Sequence, residues 1–114
     1  MSFYKPEKLP KLMVAPNGAR KIKKDHPAIP LTISEIVEAA KSCNKAGADA
    51  MHFHVRDEEG QHVLDSGLYK EILNELEHQV PTMHLQITTE AVGKYSSAVM
   101  RKVAYDVSPP GISI

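Results

Sequence analysis

Four short apolar runs recur along the chain, and their spacing constrains the fold more than any other feature. They begin at Leu12, Ala50, Met83 and Gly111, roughly 30–40 residues apart, and a stretch of helical periodicity lies between each of the last three and the run before it. A strand returning parallel to its predecessor needs a crossover of a dozen or more residues, usually a helix, so this spacing predicts right-handed β-α-β units. Strands are expected at 12–16, 50–55, 83–88 and 111–114, and helices at 33–46, 66–79 and 96–105.

Local signals punctuate the units. Leu12-Met13-Val14-Ala15 closes on Pro16-Asn17-Gly18, apolar residues followed by turn chemistry. Ala19 to Pro30 is aperiodic and cationic, long for a plain connection. Thr32-Ile33-Ser34-Glu35 fits a capping box, with Ile33, Ile36, Val37, Ala40 and Cys43 on one face and Gly47 at the end. Asp65 or Ser66 can cap the second helix, which carries Leu68, Ile72, Leu73 and Leu76 on one face and stops at Pro81. Ser96 or Ser97 can start the third.

Two α/β architectures fit: a doubly wound sheet, or part of a TIM barrel. An apolar run at Ile112-Ser113-Ile114 favours the barrel, because a complete domain rarely leaves such an edge unpaired. The expectation is therefore one partial (β/α) barrel domain over 1–114, the amino-terminal part of a barrel with three βα units and the start of strand four. Residues 1–11 are a surface lead-in. Open sheet edges and an uncovered, apolar inner face are expected to drive homo-oligomer formation.

Composition removes several classes of function. With 14 Lys+Arg against 14 Asp+Glu, 42% hydrophobic and 25% charged residues, the chain has the proportions of a globular domain. The zero balance argues against nucleic acid as a partner. The single cysteine excludes an internal disulfide and a cysteine-only metal site. No run approaches the ~18 apolar residues of a membrane span, and the first residues lack a signal-peptide core, so a cytoplasmic protein is expected.

The sharpest chemistry is in Met51-His52-Phe53-His54-Val55-Arg56-Asp57. Residues two apart on a strand share a face, with Cα atoms about 6–7 Å apart, so His52 and His54 project together. Two imidazoles at the carboxyl end of a parallel strand suit a zinc ion, which typically takes three protein ligands and a water in catalytic sites. The plain alternative is a pair of satisfied strand histidines. At the third strand, Gln86 and Thr88 share a face, and the hydroxyls of Thr88 and Thr89 can bond a carboxylate or carbonyl; threonines also favour strands and cap turns. Asn17 and Arg20 can meet an anionic substrate after the first strand, or form a solvated turn. Lys21, Lys23 and Lys24 read as surface charge, Cys43 as buried, His84 as structural, His26 as a loop residue, and His62 and His78 as exposed.

Taken together, Val14-Ala15-Pro16-Asn17-Gly18-Ala19-Arg20-Lys21, Asp25-His26-Pro27-Ala28-Ile29-Pro30-Leu31-Thr32, His52-Phe53-His54-Val55-Arg56-Asp57 and Gln86-Ile87-Thr88-Thr89-Glu90-Ala91-Val92-Gly93 resemble the β-keto acid cleavage enzymes, also called the 3-keto-5-aminohexanoate cleavage family. The resemblance runs from about residue 12 to 95 and implies a zinc-dependent TIM barrel that condenses a β-keto acid with acetyl-CoA, giving acetoacetate and a new acyl-CoA. It matches His52 and His54 to two zinc ligands and Thr88 to a hydroxyl that contacts substrate. Arg20 stands where the best-known member has a glutamate, and a cation there suits an anionic substrate group. The resemblance also implies a third zinc ligand, a glutamate, and catalytic Asp and Arg residues from a late strand beyond this sequence. The expected partners are thus a small β-keto acid and acetyl-CoA, with no nucleic acid or membrane. The alternative is a non-catalytic fragment with weak metal binding or an assembly role.

Overall fold

The computed structural model describes residues 9–114. Most of the expected lead-in lies outside the described residues; Leu9 and Lys11 are exposed. The elements are β1 (Met13–Val14), α1 (Ile33–Lys45), β2 (Ala50–His52), α2 (Ser66–Gln79), β3 (His84–Thr88), α3 (Ser97–Val107) and β4 (Ile112–Ser113). All four strands are parallel and lie in the order β1-β2-β3-β4. A doubly wound sheet reverses its order at a switch point. This one steps always in the same direction, as a barrel does.

The helices begin where their caps put them. Thr32 and Glu35 complete the capping box of α1, Asp65 accepts from Leu68 N–H at the start of α2, and Ser96 accepts from Val99 N–H at α3. Gly47, just past α1, has φ +113°, a conformation that side chains disfavour. α1 packs on α2 and α2 on α3. Between helices and sheet lies one core that includes Ile36, Met51, Phe53, Tyr69, Ile72, Leu76, Leu85 and Ile87.

The opposite face of the sheet corrects an expectation. By parity and register it carries Met13, Ala50, His52, His84, Gln86, Thr88 and Ser113. It is mostly polar, where an apolar face was expected, because most apolar members of the strands are spent on the helix side. Met13 is its exposed large apolar residue; Leu12, Ile112 and Ile114 lie at the sheet's two outer ends and Tyr105 on α3.

All four strands are shorter than expected, β1 and β2 the most, by three residues each. β1 ends at Val14, and Pro16 brings no N–H for a ladder. The regular pairing of β2 stops at His52, although Phe53 N–H still reaches Gln86 O at 3.2 Å. Beyond that point the neighbour of β2 is the carboxamide of Asn17, which replaces the missing strand backbone. No helix among the described residues is long and apolar enough to cross a membrane.

Candidate functional site

His52 closes β2, and His54, two residues further on, projects on the same side. The rings of His52 and His54 are 5.1 Å apart between centroids, and their Nε2 atoms approach to 3.3 Å. Two nitrogens held tetrahedrally by one zinc at about 2.0–2.1 Å would lie about 3.3–3.4 Å from each other. The pair therefore already has the spacing a shared cation requires. Gln86, the register partner of His52, places Oε1 2.6 Å from His52 Nδ1. With that oxygen accepting, Nδ1 carries the hydrogen and Nε2 offers its lone pair toward His54.

His54 is 4% exposed and held from three sides. Asn17 Oδ1 accepts from its N–H at 3.1 Å, and Asn17 Nδ2 donates to its carbonyl at 2.8 Å and to Pro30 O at 3.1 Å. The ring Nδ1 faces His62 Nδ1 at 3.2 Å. Burial, aided by neighbouring His62, His52 and Arg56, pushes the His54 imidazole down to about 3, so the ring is neutral at pH 7. The Glu90 carboxylate stands 3.9 Å from Nδ1, the ring nitrogen opposite the one that faces His52. Among the described residues, no group of three or more histidine, cysteine or carboxylate side chains is arranged to hold a metal.

His62 was expected to be exposed; it is buried. Arg56 and His62 pair in an antiparallel bridge, and Asp57 Oδ1 accepts from Glu59 N–H and Gln61 N–H to fold the intervening turn. Gly60 closes that turn at φ +81°, and a Cβ there would stand 3.2 Å from Leu31 Cδ1. The signal was present in Asp57-Glu58-Glu59-Gly60, a turn sequence that sends the chain back along itself. Within this excursion the buried Arg56 donates to the carbonyls of Gly60, Asn17 and Gly18. It thereby ties the turn to the loop that carries Asn17.

The remaining candidates differ in their freedom. Asn17 is buried and its amide is spent on backbone groups of His54 and Pro30. Arg20 is exposed on the loop after β1. Thr88 lies two residues beyond Gln86 on the same face, level with His54; its Oγ1 accepts from Glu90 N–H at 3.0 Å, leaving its own hydrogen to donate. Thr89 is fully buried, and its hydroxyl donates to Ser113 O at 3.3 Å. His26 and His78 are exposed, and half-buried His84 has a buried Nδ1 without a partner among the described residues. A separate cavity of about 440 Å³ lies on the helix side, lined by Lys23, Leu31, Glu35, Arg56 and Leu68 among others. His52 and His54 do not line it.

The comparisons bear on the family and the fold. A family model described as beta-keto acid cleavage enzyme matches residues 11–110. The chain belongs to the β-keto acid cleavage enzyme family. Its relatives include the 3-keto-5-aminohexanoate cleavage enzyme of Fusobacterium nucleatum, 33% identical over 72 residues, which are 63% of this chain and 26% of that protein. The 3-oxoadipate:acetyl-CoA acetyltransferase of Cupriavidus necator is 31% identical over 78 residues, 68% of this chain and 28% of that protein. The chain thus spans about a quarter of the length of these relatives. A solved structure described as a ternary complex of ObcA with C4-CoA adduct and oxalate superposes with a TM-score of 0.64 at 20% identity, covering 77% of this chain and 23% of that one. That likeness supports the fold.

Proposed function

We propose that this chain supplies the metal-facing first part of a zinc-dependent β-keto acid cleavage enzyme. The reaction joins a β-keto acid and acetyl-CoA and releases acetoacetate and a new acyl-CoA. The observation that carries the metal reading is the 3.3 Å separation of the His52 and His54 Nε2 atoms. His52 and His54 would hold the ion, with a carboxylate from outside these residues completing the set. When bound, zinc supplies Lewis-acid polarisation of the keto oxygen.

The chain's own residues do the rest of the positioning. Gln86 orients His52 through Nδ1, and Asn17 fixes the backbone of His54. Thr88 keeps a hydrogen with which to donate to a substrate oxygen beside His54. Arg20, exposed on the loop after β1, offers a cation to an anionic group at the far end of the keto acid. This favours a keto acid with a second carboxylate, a class that includes the 3-oxoadipate named for the Cupriavidus necator relative. The protein is expected to act in the cytoplasm, where acetyl-CoA is available.

A graft tests this reading. Residues 11–110 replace their counterparts in the Cupriavidus necator acetyltransferase, and the chimaera is supplied with zinc, labelled acetyl-CoA and 3-oxoadipate. Labelled acetoacetate is the expected product, with turnover falling at least tenfold in the Arg20→Glu chimaera. A chimaera that melts sharply and binds zinc, yet yields no acetoacetate, would overturn the assignment. This chain alone is the second arm: it is expected to bind zinc without turnover.

A further inference from the structure

We infer that His62 is a positioning residue, which fixes the tautomer of His54 so that the His54 Nε2 lone pair faces His52. The inference rests on the metal reading for its purpose and on hydrogen-bond geometry for its content. His62 Nε2 lies 2.7 Å from the carbonyl oxygen of Glu90. A carbonyl only accepts, so His62 Nε2 must carry a hydrogen. Both rings are buried, and burial disfavours a charge on either. A neutral His62 that is protonated at Nε2 has a lone pair at Nδ1.

That lone pair faces His54 Nδ1 at 3.2 Å. Two lone pairs at this distance would repel, so His54 Nδ1 carries the hydrogen and donates it to His62. The Nε2 of His54 is then left with a lone pair, pointed at His52 Nε2; without metal, the Gln86 amide turns to donate to His52 Nδ1, and His52 Nε2–H meets that lone pair. One backbone carbonyl, at the start of the loop after β3, thus sets the proton positions of two rings in series. The Asp57–Gly60 turn exists in this account to bring His62 back over β2. Metal-bound histidines commonly donate their second N–H to such an outer partner, which fixes ring orientation and raises basicity. Here that partner is a second imidazole, itself held by main chain.

The test uses the full chain, labelled with 15N and freed of metal, in long-range proton–nitrogen spectra at neutral pH. His54 is expected to show the Nδ1–H tautomer. In His62→Leu it should shift to a mixture or to Nε2–H, and zinc affinity, measured against a chromophoric chelator, should fall 10–100-fold. His62→Asn keeps an acceptor near Nδ1, and should hold the tautomer and stay within about threefold of the parent affinity. A parent His54 in the Nε2–H form, or an unchanged tautomer in His62→Leu, would overturn the inference. A parent chain that holds the Nδ1–H tautomer but takes up no zinc supports the relay and defeats the metal reading instead. Should His62→Leu fail to fold, the parent spectrum and His62→Asn still decide.

Discussion

Asn17 bonds both backbone polar groups of His54, accepting from its N–H at 3.1 Å and donating to its carbonyl at 2.8 Å. A side-chain amide thereby does what a neighbouring strand would do, at the level where Pro16 has taken β1 out of the ladder. Removing it leaves a buried donor and acceptor unpaired, each worth about 1–3 kcal/mol. Asn17→Ala is expected to destabilise the chain by about 2–4 kcal/mol in urea unfolding and to weaken zinc uptake. A loss below ~0.5 kcal/mol would show that water replaces the amide.

Arg56 is the second tie between the β1 loop and the turn beyond β2. Its guanidinium reaches three carbonyls, those of Gly60, Asn17 and Gly18. A lysine carries the charge but not the planar fork. Arg56→Lys is expected to cost about 2 kcal/mol, read as a lower denaturation midpoint with an unchanged slope.

Tyr69 connects α2 to the end of β3. Its ring is fully buried, and its hydroxyl donates to Thr88 O at 2.9 Å. Burial is the main cause that holds the phenol well above its ordinary range. Tyr69→Phe keeps the packing and orphans one carbonyl, so a loss of about 1–2 kcal/mol is expected in the same measurement. A neutral result would mean that the carbonyl finds another donor.

Below pH 4.5, acid sensitivity should appear at the start of α1, in addition to the loss below pH 6.5 from the buried, neutral His54. The bond from Lys23, then those from Thr32 and Leu31 N–H, bring the Glu35 carboxyl down from 4.5 to about 2. A carboxylate with a lowered folded pKa binds fewer protons than it does unfolded. Its contribution is therefore complete above pH 4.5 and is lost as the pH falls toward 2. Glu35 is about one-third exposed, so solvent screening limits the contribution to about 1 kcal/mol. Glu35→Gln is expected to flatten the stability-versus-pH curve in that window, and an unchanged curve would place the acid response elsewhere.

Much of the fold was legible because its signals are local. Thr32 with Glu35 announced one helix start, the pairs Asp65/Ser66 and Ser96/Ser97 held the other two caps, and the spacing of apolar runs pointed to parallel strands. The His52 and His54 pairing on one face followed from strand parity alone. The burial of His62 was missed, since it depends on an excursion in which Arg56 and His62 pair across the Asp57–Gly60 turn. That is a short antiparallel feature inside a parallel unit, and a reading tuned to β-α-β units passes over it. The inner face was expected to be apolar because missing strands were assumed to need a greasy partner. It instead carries the polar residues His52, His84, Gln86 and Thr88. The shortness of β1 and β2 was hidden because Asn17 mends the ladder from a loop.

The central claim is that His52 and His54 share one metal ion, and X-ray absorption on the zinc-loaded chain tests it most directly. The spectrum should show zinc with two imidazole nitrogens at about 2.0–2.1 Å and no sulfur, and the His52→Ala/His54→Ala double variant should lose its stoichiometric zinc. Zinc bound equally well by the double variant, or through the sulfur of Cys43, would contradict the account.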